Sequence, residues 1–298
     1  MLAQARGLLE DQDEGRLESE ILLVYVLGVS RSYLYANPDQ EISLPKTEAV
    51  LDLVQRRAAG EPIAYLTGTR EFWSLPLRVT PDVLIPRPET ELLVEIALEF
   101  IPADARWRIA DLGTGSGAIA LAIASERPGC EIHATEYSEE ALKIARHNIE
   151  ALAPGKVGLH QGSWLEPLNG RFMLIVSNPP YVAAEDPHLQ QGDCRFEPAD
   201  ALSPGSDALA AIRHIAQEDL DVARSVECQI PLGLHREIAG QFEEGRHGNT
   251  GVQDGEANNV TLQCTELDSN VGAADRDGLI DGLAGRIDLK QNVSAKRR

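Results

Sequence analysis

The chain has 298 residues, 43% hydrophobic and 25% charged, with a formal net charge of −20. No apolar run reaches the roughly 18 residues of a membrane span, and the N-terminal stretch lacks a basic segment followed by an apolar core. Neither a spanning helix nor a secretory leader is therefore expected, and the expected compartment is the cytoplasm. The acidic excess opposes a polyanionic partner, because nucleic-acid affinity comes mainly from Lys and Arg neutralising phosphates.

The length suits one large α/β domain with a small accessory domain. Residues 1 to about 70 read as helical. One helix covers Leu17 to Leu27 and stops at Gly28. A second runs from about Lys46 to Ala59, with Ala49, Val50, Leu53 and Val54 on one face, and closes at Gly60 before Pro62. So small a bundle has little core of its own and is expected to lean on its neighbour. From Arg70 to Pro88, apolar residues are interrupted by Pro76, Pro81 and Pro86, the pattern of a β-hairpin connector over 71–88. Glu91 to Phe100 reads as an amphipathic helix after Thr90.

Strand and helix then alternate. Trp107–Leu112, Glu131–Thr135, Val157–His160 and Phe172–Val176 are strand-like, while Ala118–Glu126 and Glu139–Ala151 are helical. Such alternation predicts a parallel sheet with helices on both faces, and ligands of such sheets bind beyond the C-terminal strand ends. A last helix is expected over Asp207–Gln217. Beyond Glu218 the chain is rich in Gly, Asn, Asp and Glu, with no clear buried strand and no repeat, so 219–298 is expected to be an atypical tail whose order the sequence leaves open. Its terminal Lys296-Arg297-Arg298 reads as a solvated end. The cysteines, Cys130, Cys194, Cys228 and Cys264, form no CxxC pair and have no His at ligand spacing, so they read as idle thiols with neither disulfide nor zinc.

Three features carry chemistry. Asp111-Leu112-Gly113-Thr114-Gly115-Ser116-Gly117 lies between a strand and a helix, where glycines bring a ligand close to the helix N-terminus. The spacing is GxGxG, unlike the GxGxxG of dinucleotide folds, and on its own it is also compatible with a plain tight turn. Glu136 ends the next strand, where a carboxylate can accept both ribose hydroxyls; the alternative is an exposed acid beside Glu139 and Glu140.

The third feature is Ser177-Asn178-Pro179-Pro180-Tyr181, directly after an apolar strand. Two prolines cannot extend that strand, so the chain leaves the sheet at its ligand-binding edge. An NH2 group conjugated to a carbonyl or ring is a poor nucleophile because its lone pair is delocalised. The Asn178 side-chain oxygen and the Pro179 carbonyl can each accept one of its N–H groups and aim the nitrogen at a methyl donor. Tyr181 adds an aromatic surface for a planar substrate.

With these motifs the chain resembles the HemK-type protein-(glutamine-N5) methyltransferases over roughly residues 1 to 215. The resemblance rests also on Gly60-Glu61-Pro62-Ile63-Ala64-Tyr65-Leu66-Thr67-Gly68, Arg70-Glu71-Phe72-Trp73-Ser74-Leu75-Pro76-Leu77, Leu84-Ile85-Pro86-Arg87-Pro88-Glu89-Thr90-Glu91 and Gln191-Gly192-Asp193-Cys194-Arg195-Phe196-Glu197-Pro198. It implies a Rossmann-like α/β methyltransferase domain over 89–218 and an N-terminal helical substrate-recognition domain over 1–70. It implies S-adenosylmethionine as cofactor and the glutamine of the Gly-Gly-Gln motif of peptide chain release factors as substrate.

By position, Gly113, Thr114, Gly115, Ser116 and Gly117 would face the methionine end, Glu136 the ribose and Trp164 the adenine, with an ordinary core tryptophan as the alternative for Trp164. Asn178, Pro179, Pro180 and Tyr181 would hold the amide, with Asn178 also at the cofactor, and no metal is implied. Arg87 and Glu89 are expected near the site or as an Arg–Glu surface pair. Family members continue past 218 with a Gly-Gly turn, a Leu-rich strand and a final hairpin, which this chain does not match. The expectation is a sheet with one open edge and lowered stability. Adenine-N6 and guanine-N2 methyltransferases share Asn-Pro-Pro-Tyr, so base methylation is a second reading, and a cofactor-binding relative without turnover is a third.

Overall fold

The computed structural model describes residues 7, 9 and 15–218, and the backbone of Val226–Pro231 and Asn259–Gln263. Cys264, the terminal Lys296-Arg297-Arg298 and the rest of the tail lie outside the described residues, as do the first six positions.

Four helices open the described chain: α1 (Gly15–Leu27), α2 (Arg31–Ala36), α3 (Leu44–Ala58) and α4 (Ile63–Thr67). Gly28 ends α1 with a φ of 69°, its N–H bonding to the Val24 carbonyl, a helix stop that needs no Cβ. Ser30 caps α2 by accepting from the Tyr33 N–H, and Pro45 occupies the first turn of α3, where no N–H is needed. Leu22, Leu23, Val50, Leu53, Val54 and Leu66 close into a small core. That core does not stand alone. Ala64 and Tyr65 of α4 join Val79, Val83 and Ile85 of the connector and Ala141 and Ile144 in a second cluster, and the Tyr65 hydroxyl donates to the Val83 carbonyl at 2.7 Å.

The connector begins as a hairpin, β1 (Thr69–Phe72) against β2 (Leu75–Arg78), with Phe72 opposite Leu75. Its two turn residues, Trp73 and Ser74, both have positive φ (52° and 59°), the geometry of a type I′ turn without its usual Asn or Gly. Two carboxylates hold it there: Glu91 accepts from the Trp73 N–H at 2.8 Å and Glu126 from its indole N–H at 2.9 Å.

The main sheet contains β3 (Arg108–Leu112), β4 (Glu131–Glu136), β5 (Val157–Gln161), β6 (Leu174–Ser177), β7 (Val226–Pro231) and β8 (Asn259–Gln263), in the order β5-β4-β3-β6-β7-β8. All neighbours are parallel except β7 and β8, which are antiparallel. Side chains alternate between faces, as strand geometry requires. Ile109, Leu174 and Val176 face α5 (Thr90–Phe100) and α6 (Ala118–Glu126), whereas Ala110, Leu112 and Ile175 face Phe172, Leu165 and Ile215 of α9 (Ala210–Glu218). α7 (Glu139–Leu152) links β4 to β5, and α8 (Ala199–Leu202) is a single turn.

Two expectations need correction. Beyond residue 218 the sequence shows no strand, yet β7 pairs with β6 through Ile175↔Val226 to Ser177↔Cys228, so β6 is not an edge. The pattern is invisible because β7 and β8 carry no long run of branched apolar residues. The strand read as Phe172–Val176 is Leu174–Ser177; Phe172 instead packs across the sheet face under the Arg108 guanidinium, 4.5 Å from its ring centre.

Candidate functional site

The strand order reverses at β3. β4 and β5 lie on one side of it and β6 on the other, so the loops after β3 and β6 part at a switch point where open α/β sheets bind ligands. Leu112 and Ser177 are in register, and the Ser177 hydroxyl donates to the Leu112 carbonyl at 2.8 Å. The glycine loop and the Asn-Pro-Pro-Tyr segment thus start side by side.

The loop is pinned at several points. The Thr114 N–H bonds to the Thr135 carbonyl at 2.9 Å, and the Asn148 side-chain amide of α7 donates to the Ser116 carbonyl at 2.8 Å while also gripping Arg78. Gly113, at φ 69°, lies under the Trp164 ring, where an added Cβ would meet the ring at 3.3 Å. Gly115, at φ 57°, faces open space, with nothing within 4 Å of where a Cβ would stand. Gly117, at φ 86°, lies in the left-handed region, and an added Cβ would make only ordinary contacts with Leu121 and Ala145. Trp164 itself has φ 43°, a conformation costly for a tryptophan; the residue is half-buried and packs against the core that contains Leu165 and Phe172.

Two carboxylates flank this loop. Glu136 is half-buried and accepts from the backbone N–H groups of Gly115 and Ser138, each at 2.9 Å, one on each oxygen. Each oxygen keeps a second lone pair for a diol. Asp111 is fully buried; one oxygen accepts from the Thr114 hydroxyl at 2.6 Å and from the Ala120 N–H at 3.1 Å, while Oδ1 has no partner in the structure. Burial pushes its carboxyl up to about 6, with the nearby Glu136 charge adding and the two hydrogen bonds opposing.

At the end of β6, Pro179 is buried and Pro180 and Tyr181 half-buried. The Asn178 side-chain nitrogen donates to the Thr90 hydroxyl oxygen at 3.3 Å, and its Oδ1 is buried with no partner. Burial pushes the Tyr181 hydroxyl up; Arg87 opposes that shift, and Glu89 and Cys194 add to it. Arg87 does not pair with Glu89, which is exposed at the start of α5. It bonds to Glu197, whose other oxygen accepts from the Ile85 N–H at 3.0 Å. The loop carrying Glu197 also reaches the helical unit: Arg57 binds Glu18 and Asp193, and the Arg195 guanidinium lies against Gly60. Asp111, Thr90, Asn148 and Glu197 were not singled out from the sequence as site residues. Only their places inside recurring motifs pointed to the first two and to Glu197; Asn148 gave no signal within its helix.

Comparison with known proteins agrees with this architecture. Residues 1–68 match the model of the PrmC N-terminal domain and residues 89–206 that of the methyltransferase small domain. The release factor glutamine methyltransferase of Salmonella typhimurium is 50% identical over 215 residues, 72% of this chain and 77% of that protein. The chain belongs to the release factor glutamine methyltransferase family. The Escherichia coli member is 47% identical over 218 residues, covering 73% and 78% of the two chains. Among solved structures, the hMettl16 catalytic domain in complex with a MAT2A 3'UTR hairpin shares the fold at a TM-score of 0.53 and 17% identity, over 73% of this chain and 83% of that one. As a family member the chain is an S-adenosylmethionine-dependent methyltransferase with a Rossmann-like sheet. Among the described residues no helix is long and apolar enough to cross a membrane.

Proposed function

We propose that the chain methylates the side-chain amide nitrogen of the glutamine in the Gly-Gly-Gln motif of peptide chain release factors, in the cytoplasm. The observation that carries this reading is the Asn178 Oδ1: a buried acceptor with no partner, at the C-terminal end of β6 and beside the glycine loop.

The residues present suit the cofactor. A buried, unpartnered Asp111 oxygen fits a cationic amino-acid end, the open space at Gly115 admits a ligand close to the backbone, and Glu136 and the Trp164 ring offer a diol acceptor and a flat apolar face. S-adenosylmethionine, when bound, supplies a methyl group made electrophilic by its sulfonium.

The protein's own part is positional. Asn178 Oδ1 and the Pro179 carbonyl accept the two N–H groups of the substrate amide, which holds the nitrogen in place and opposes delocalisation of its lone pair. Such positioning supplies a large share of a barrier reduction without a covalent intermediate. Pro180 and Tyr181 face the planar amide. One of the two amide hydrogens leaves as a proton once the nitrogen carries the methyl. Binding an acceptor-rich site also selects for an NH2 group, since a substrate lacking it leaves Asn178 Oδ1 buried and unpaired.

The test is incubation with methyl-labelled S-adenosylmethionine and a release factor, wild type or with Gln→Ala in Gly-Gly-Gln. Label on the wild-type factor alone supports the reading. Equal label on both, or label on RNA or DNA but not on protein, sinks it.

A further inference from the structure

Asn178 works through its Oδ1, yet the two ends of its amide have nearly the same shape. A half-turn about the last side-chain bond exchanges an acceptor for a donor and turns an attractive site into one that repels an incoming N–H. The side chain must therefore be held in place. Beside Asn178 stands Thr90, 4% exposed, whose hydroxyl oxygen accepts from Nδ2 at 3.3 Å while Oδ1 is left without a partner.

Thr90 is itself firmly held. It opens α5, its N–H bonds to the Arg87 carbonyl at 3.0 Å, Arg87 binds the buried Glu197, and the next residue, Glu91, holds the Trp73 N–H at 2.8 Å. The strand side is held equally, because Ser177 is tied to Leu112. Two rigid elements thus meet at one hydrogen bond.

We propose that Thr90 is a positioning residue for methyl transfer: its hydroxyl, bonded to Nδ2, holds the Asn178 side chain in place, so that Oδ1 meets the substrate nitrogen. This rests on the methyl-transfer reading above. In its absence the side chain samples other positions, and the productive one is diluted. Substrate and cofactor, held by many other contacts, bind nearly as before.

The experiment compares Thr90→Val, which keeps the volume, Thr90→Ser, which keeps the hydroxyl, and Thr90→Ala, using the full chain, S-adenosylmethionine and a release factor. The Val variant should lose on the order of tenfold in kcat with KM for both ligands within about twofold, and the Ser variant should return to within about twofold of wild type. In parallel, the side-chain amide resonances of Asn178, assigned by their loss in Asn178→Asp, are followed without substrate. They should move toward the positions of an unstructured Asn amide in the Val and Ala variants and stay in place in the Ser variant. Unchanged kcat or unmoved resonances in Thr90→Val would overturn the assignment, as would a Ser variant as impaired as Val. Should the wild type fail to label a release factor, the functional reading falls while the resonances still decide the role of Thr90. If both Val and Ala variants lose cooperative melting, the hydroxyl belongs to the start of α5 and the proposal is equally overturned.

Discussion

Asp111 is held in tension between folding and binding. Unfolded, its carboxyl titrates near 4, whereas in the fold burial pushes it up to about 6. The folded form therefore binds its proton to higher pH than the unfolded form, and stability falls as pH rises through that window. Above it the ionised group costs roughly 3 kcal/mol, from about two pH units at ~1.4 kcal/mol each. Asp111→Asn keeps acceptors for Thr114 and Ala120 and should melt higher than wild type near neutral pH, with the gain vanishing near pH ~4. Calorimetry should show its affinity for S-adenosylmethionine reduced at neutral pH, because the negative charge that destabilised the fold faced the ligand's cation. Gly115 separates the same two effects. Gly115→Ala should cost about 1 kcal/mol from the left-handed φ, measurable by urea unfolding, yet abolish cofactor binding, since its methyl would stand in the open space above the loop.

Between elements, one buried carboxylate fastens two segments. Glu197 is fully buried and joins the connector, at Ile85 and Arg87, to the loop that follows Tyr181. Glu197→Ala should lower stability by about 2 kcal/mol, less than for a fully buried pair because Arg87 is 30% exposed. It should also raise KM for the release factor as the loop beside Tyr181 loosens; an unchanged unfolding midpoint would contradict that role. This contact also marks how far local sequence carries. The two longer helices of the N-terminal unit, the alternation of strand and helix, the glycine loop and the end of β6 are legible, because periodicity, caps and prolines act over a few residues, whereas the short α2 and α4 are not. The partner of Arg87 is not, since Glu197 lies 110 residues away and only the fold brings them together. Trp73-Ser74 likewise shows no turn signature: its positive φ values are held by Glu91 and Glu126 from other elements. The missed strand β7 is of the same kind, placed by pairing with β6 rather than by its own pattern.

At the scale of the molecule, the sheet couples the tail to the site. All four residues of β6 are buried, and β6 delivers Asn178 while β7 covers its outer side. Removing residues 219–298 would leave β6 as an unpaired apolar edge. Such a truncation should lower the melting temperature and raise concentration-dependent light scattering, even with every residue from Gly113 to Tyr181 intact. The acidic net charge of −20 opposes a polyanionic partner. Whether Asn178 aims one amide nitrogen of a release factor at the methyl donor is best decided by fragment-resolved mass spectrometry of the release factor after incubation. A single added methyl is expected on the side-chain nitrogen of the Gly-Gly-Gln glutamine, absent with Asn178→Ala, whose melting and cofactor-loop structure should persist. Methyl on another residue, or undiminished modification by Asn178→Ala, would contradict it.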